Sequence, residues 1–282
     1  MEVDLNNYRQ NIYSHIGLHP CPCYGEDGVF LKIFSDIGVS KSPSCVEFGE
    51  LRSLGTTTRA FRIDYVADAV YFSSSIDIKS ACLNIIDILL VCWKKKSLRY
   101  LKFCLSLPRK WFVTSANIVG ALKKKAHDDV DLVVVDIDSY DFYVVLQMLE
   151  SGIKPRVLVV EYNPNLPIDR ALSWPDAKSR TLGLNGKLYG ASYLAWEKLT
   201  SKFDYNLVHV SGFCNLIYIR SDLDPGYKTP DITEEITDTK EKILSFCEKN
   251  CLPGFLPSWV DEPELDSDLI DSVLEVAKTN FD

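Results

Sequence analysis

The 282-residue chain has no long uninterrupted apolar run. Its best stretch, Ile85 to Trp93, carries Asp87 and is far shorter than the roughly 20 residues a membrane-spanning helix needs, so no membrane span is expected. The opening Met-Glu-Val-Asp-Leu-Asn-Asn lacks the basic start and apolar core of a signal peptide. Positive charge is scarce: 31 Lys and Arg against 39 Asp and Glu leave a net charge of −8, which argues against a dedicated nucleic-acid binder. Two cysteine pairs at zinc spacing are also missing. The nearest approach is Cys21-Pro-Cys23 with His15 and His19, which leaves little loop to wrap a tetrahedron. Cys45, Cys82, Cys92, Cys104 and Cys214 sit in apolar contexts and read as small hydrophobes in a reducing compartment, which points to a cytoplasmic protein.

What is present is an apolar fraction of 46%, enough at this length to bury a full core. Two segments dominate. Asp131-Leu-Val-Val-Val-Asp136 runs into Ile-Asp-Ser-Tyr-Asp141, and Arg156-Val-Leu-Val-Val-Glu161 runs into Tyr-Asn-Pro164. Each is a β-branched run that stops abruptly at acids or amides. Fully buried parallel strands read this way, and open α/β sheets take their ligands at the carboxyl ends of such strands. Asp136, Asp138, Asp141, Glu161 and Asn163 should therefore share one sheet edge.

Periodicity predicts helices over Glu26–Gly38, Thr56–Val66, Ile76–Trp93, Phe142–Glu150 and Gly190–Lys202. It predicts strands over 44–49, 69–72, Trp111–Val119, 132–136, 157–161, 207–210 and 215–220, the last two as a hairpin. Strand and helix alternate, so the expected fold is a doubly wound α/β sheet ending in an antiparallel pair. Residues 1–23 read as an irregular leader, 24–223 as the main domain and 224–282 as an acidic, amphipathic extension, a candidate protein-docking element. Residues 165–187 form a long loop rich in Pro, Asp, Arg and Gly, of the kind that covers a substrate. Tryptophans are expected as core anchors, with Trp174 in that loop as a possible substrate contact.

Val46-Glu-Phe-Gly49, followed by Gly55 and Thr56-Thr-Thr58, is a glycine turn between a strand and a helix. It is not GxGxxG, and alone it is weak. It gains weight from the order of the segments around it. These are Glu26-Asp-Gly-Val-Phe-Leu-Lys-Ile-Phe, Cys45-Val-Glu-Phe-Gly, Val135-Asp-Ile-Asp-Ser-Tyr-Asp, Val159-Val-Glu-Tyr-Asn-Pro, Tyr189-Gly-Ala-Ser and Asn215-Leu-Ile-Tyr-Ile-Arg-Ser-Asp-Leu. In this order, over about residues 24–223, the chain resembles the FkbM-like branch of S-adenosylmethionine-dependent methyltransferases.

The resemblance implies a Rossmann-like, mostly parallel seven-stranded sheet of the class I methyltransferase type, with a reversed last strand. It implies S-adenosylmethionine as cofactor, held by Glu47, Gly49, Gly55, Thr58, Ser75, Asp77 and Asn117. It also implies O-methylation of a small-molecule or sugar hydroxyl. The family's Asp-Gly pair after the first glycine is replaced here by Arg52 and Ser53, and the acid expected at the end of the second strand by Ser73-Ser-Ser75.

Asp136, Asp138 and Glu161 are the candidate catalytic residues. Asp136, Glu161 and Asn163 resemble the ligand set of metal-dependent catechol-type O-methyltransferases, and their oxygens suit a hard cation such as magnesium. Without a metal, carboxylates this close would raise one another's pKa and leave a general base near neutral pH. Two other readings stay open. The altered glycine motif fits an inactive interaction protein on the same fold. The acid-free stretch from Lys94 to Lys125, with Tyr100, Phe103 and Trp111 interleaved, fits an RNA methyltransferase. As a helix starter, Asp141 reads as a cap.

Overall fold

The computed structural model describes residues 2–10, 26–49, 57–73, 85, 89, 92–93, 96–98, 101, 109–123, 130–164, 166–176, 189–211, 214–235 and 275–276. Its centre is a seven-stranded sheet with the order β3-β2-β1-β4-β5-β8-β7. The strands are β1 (Ser44–Gly49), β2 (Asp68–Ser73), β3 (Arg109–Lys110), β4 (Leu132–Asp136), β5 (Val157–Glu161), β7 (Tyr205–Ser211) and β8 (Asn215–Arg220). Pairing is parallel from β3 through β5, and β8 runs antiparallel to both β5 and β7. The expected mixed α/β sheet with an antiparallel closing pair is thus present. A separate antiparallel pair joins β6 (Leu172–Ser173) to β9 (Glu275–Val276), tying the long loop to the acidic extension.

Leu132–Val135 and all of β5 are buried, because helices cover both faces of the sheet. On one face, Cys45, Tyr71, Val134, Val159 and Ile217 pack with α1 (Glu26–Ile37) and α2 (Arg59–Tyr65). Leu5, in a short 3-10 turn over Leu5–Tyr8, joins them at 1% exposure, so residues from the predicted leader contribute to this core. On the other face, Phe48, Val133, Val135, Val160 and Tyr218 pack with α3 (Ile118–Lys123), α4 (Asp141–Glu150) and α5 (Tyr193–Lys202). Alternate residues of each strand feed alternate faces, as the two-residue period of a strand requires.

Helix α1 stops where expected: Gly38 takes φ +69° and its N–H bonds to the Phe34 carbonyl. Helix α5 is capped by the Ser192 hydroxyl, which accepts from the Ala195 N–H. Two expectations are corrected. The strand predicted over Trp111–Val119 is only Arg109–Lys110, followed by a turn and then α3. The Asn117 side chain accepts from Thr114 N–H and donates to the Phe112 carbonyl, closing that turn and overriding the β propensity of Trp, Phe and Val. Helix α2 begins at Arg59, and Thr58 makes no capping bond. Its hydroxyl turns to Glu47 instead. Among the described residues no helix is long and apolar enough to cross a membrane.

Candidate functional site

From β1 the chain moves outward to β2 and β3; from β4 it moves the other way to β5. The β1–β4 boundary is therefore the topological switch point, where the carboxyl ends of an open α/β sheet leave a crevice. Gly49 ends β1, Asp136 ends β4 and Glu161 ends β5, on three adjacent strands. Asp136, Asp138 and Glu161 each bring a carboxylate oxygen to within 4.8 Å of the others.

The backbone between β4 and α4 makes this possible. Asp138 has φ +55°, a left-handed conformation that short polar side chains tolerate best. Asp141, fully buried, accepts from Ile137 N–H at 2.7 Å and Ser139 N–H at 3.0 Å, so the two amides bracketing Asp138 are fixed. Asp141 is therefore not the cap its sequence position suggests. Tyr140 occupies the cap position, and Asp141 fastens the loop from the first turn of α4.

Glu161 is 7% exposed. Its Oε1 accepts from the Cys214 thiol at 3.0 Å, and its Oε2 has no hydrogen-bond donor among the described residues. Its backbone carbonyl accepts from the buried Trp196 indole N–H at 2.9 Å, which fixes the strand end against α5. Asn163, fully buried, donates to the Tyr189 carbonyl at 3.0 Å and fastens the segment that re-enters after the long loop.

Burial, then the charges of Asp138, Asp141 and Glu47, hold the Asp136 carboxyl well above the usual range; a hydrogen bond with Glu161 lowers it in part. Burial, then the charges of Asp136, Asp138 and Asp141, do the same to Glu161. Burial pushes Asp141 up to about 6, against the lowering effect of its two backbone bonds. The Tyr189 phenol is raised by burial and then by Glu161, Cys214, Asp138 and Asp136, and stays a proton donor. The crevice is thus lined by oxygens that favour either a shared proton or a cation.

Other predicted residues have partners elsewhere. Glu47 accepts from Thr57 N–H, Thr58 N–H and the Thr58 hydroxyl, so both its oxygens hold the start of α2. Gly49 stands so near β4 that an added Cβ would lie 2.6 Å from the Asp136 carbonyl oxygen. Asn117 is committed to the turn before α3. Trp174 packs into the core rather than outward. Gly55, Ser75, Asp77, Arg52, Ser53 and the quartet His15, His19, Cys21 and Cys23 lie outside the described residues. Sequence reasoning gave no role to Cys214 or Tyr189. The motif Tyr189-Gly-Ala-Ser was the signal for the second; a lone apolar cysteine gave none for the first.

No family profile matches the chain. Among curated proteins it is similar to Protein C2-DOMAIN ABA-RELATED 1 of Arabidopsis thaliana, 26% identical over 129 residues, which cover 46% of this chain and 73% of that protein. A likeness this low, over less than half the chain, does not place it in that protein's family.

Proposed function

We propose that the chain is an S-adenosylmethionine-dependent methyltransferase that methylates an oxygen of a small-molecule or sugar hydroxyl. The observation that carries this reading is the convergence of Asp136, Asp138 and Glu161 at the switch point beside Gly49. The seven-strand order with one reversed strand supports it, since the resemblance to class I methyltransferases implies a sheet of that kind.

The residues fit both groups that the reading requires. Gly49, lacking a side chain, lets the ends of β1 and β4 lie close together at the switch point, where an added Cβ would meet the Asp136 carbonyl, and the acidic edge suits a cationic sulfonium. When bound, the cofactor supplies an electrophilic methyl group. Three carboxylates, with Glu161 Oε2 accepting from no donor group of another residue type among the described residues, are hard ligands for magnesium. Such an ion at Asp136, Asp138 and Glu161 would lower the pKa of an acceptor hydroxyl.

The chain's own part is to orient the hydroxyl and take its proton. Asp136 and Glu161 have the raised proton affinity that a base working near neutral pH needs. Tyr189, whose phenol is kept protonated by burial and by the nearby charges of Glu161, Asp138 and Asp136, would donate to an acceptor oxygen. The test is transfer of labelled methyl from S-adenosylmethionine to a panel of sugars and hydroxylated small molecules. Transfer should occur with the native chain and fall at least a hundredfold, about the low end of general-base effects, in Asp136→Asn. Unchanged turnover in that variant would remove Asp136 from the chemistry.

A second reading, an inactive scaffold on the same fold, has one observation in its favour: the carboxylate of Glu47 is fully occupied by α2. Failure of the chain to bind the cofactor at all would select it.

A further inference from the structure

Of the three carboxylates at the sheet edge, Glu161 has the longest side chain, and that freedom must be removed if it is to meet the other two. A glutamate has one more side-chain torsion to fix than an aspartate. The backbone of Glu161 is already held: it pairs with Asn215 across β5 and β8, and its carbonyl accepts from the Trp196 indole. Neither contact orients the carboxyl group itself.

Cys214 does. Its carbonyl accepts from the Tyr162 N–H at 2.7 Å, which sets its backbone beside the end of β5. Its thiol donates to Glu161 Oε1 at 3.0 Å. That bond occupies one oxygen of a side chain that is 7% exposed. The other oxygen, Oε2, is buried, and no donor other than a carboxyl reaches it among the described residues. A buried oxygen in that state calls for a proton or a ligand.

Carboxylate oxygens of Asp136, Asp138 and Glu161 lie within 4.8 Å of one another, a group that does not include the Cys214 sulfur. The thiol therefore acts through Glu161 rather than beside it. With an ordinary pKa of about 8.5, a thiol holds its proton at neutral pH, and it is a weak donor. A weak donor fixes the direction of a carboxylate while withdrawing little of the charge that a cation needs. A lysine or arginine in its place would pair with that charge. Carboxylates that ligate metals are held by outer hydrogen bonds of this kind.

Resting on the metal-assisted reading above, we propose that Cys214 is a positioning residue that presents Glu161 Oε2 to a divalent cation shared with Asp136 and Asp138. The test is titration of the full chain with manganese(II), a cation that takes the same oxygen ligands as magnesium, followed by the paramagnetic signal of the free ion. The native chain should bind the ion saturably, and Glu161→Gln should lose that binding. Cys214→Val, which keeps the bulk and removes the donor, should bind at least about tenfold more weakly, the usual effect of losing an outer hydrogen bond. Cys214→Ser, which keeps a donor, should stay within about threefold of the native chain. Native affinity in Cys214→Val, or a Cys214→Ser as weak as Cys214→Val, would overturn the proposal and leave the metal site itself standing. No manganese binding by the native chain would overturn both. The readout does not depend on methyl transfer, so binding of this pattern in a chain that transfers no methyl group would uphold the role of Cys214 and overturn the activity.

Discussion

Gly49 and Asp136 face each other across the β1–β4 register, and the space between Gly49 and the Asp136 carbonyl is too small for a methyl group. The contact is with backbone, which cannot rotate aside as a side chain would. Gly49→Ala should therefore push the two strand ends apart and cost about 1–3 kcal/mol, the usual range for overpacking. A lower urea midpoint with an unchanged slope checks it. An unchanged midpoint would mean that the sheet edge yields freely there.

Asp141 ties stability to pH. Burial raises its carboxyl from 3.8 to about 6, so the folded chain keeps a proton that the unfolded chain releases. Between those values the folded state binds more protons, and the stabilisation present below 3.8 is lost as pH rises through 6. The difference is worth roughly 3 kcal/mol. Asp136 and Glu161, raised for the same reason, act with the same sign. Urea unfolding of Asp141→Asn across this window should show a flatter pH dependence than the native chain. Parallel profiles would place the titration elsewhere.

Asp131 is a buried acid of a different kind. It immediately precedes β4 with both oxygens occupied, accepting from Ser40 N–H at 2.6 Å, the Ser40 hydroxyl at 2.8 Å and Ser44 N–H at 2.9 Å, with Arg156 Nε at 3.7 Å. Asp131→Ala strands those donors and an arginine, and should cost about 3–5 kcal/mol. Asp131→Asn keeps one acceptor and should cost less. Equal losses in the two variants would show that the negative charge beside Arg156, rather than the remaining acceptor, is what matters at this position.

The parts of this structure legible in the sequence are those set by local pattern. Val-rich β4 and β5 announce themselves because both faces are buried, and their terminal acids because no packing need explains Asp136 or Glu161. Gly38 marks the end of α1 for a simple conformational reason. What escapes is set by contacts distant in the chain. Asp138 and Asp141 both read as helix starters; only the left-handed turn at Asp138 separates the one that joins the carboxylate cluster from the one that fastens the loop. Cys214 reads as an apolar filler, yet its thiol bonds Glu161 across the β5–β8 pairing. Trp111 and Phe112 suggest a strand until Asn117 closes the turn behind them. Trp93 reads as a core anchor and is instead largely exposed.

The proposed activity depends on the crevice beside Gly49 accepting S-adenosylmethionine, and calorimetric titration of the full chain with that cofactor asks this directly. Saturable binding is predicted, at least tenfold weaker in Gly49→Val, whose side chain would meet the Asp136 carbonyl and push apart the strand ends that form the crevice. Absence of any binding at millimolar cofactor, or equal binding by Gly49→Val, would contradict a cofactor site at this strand edge.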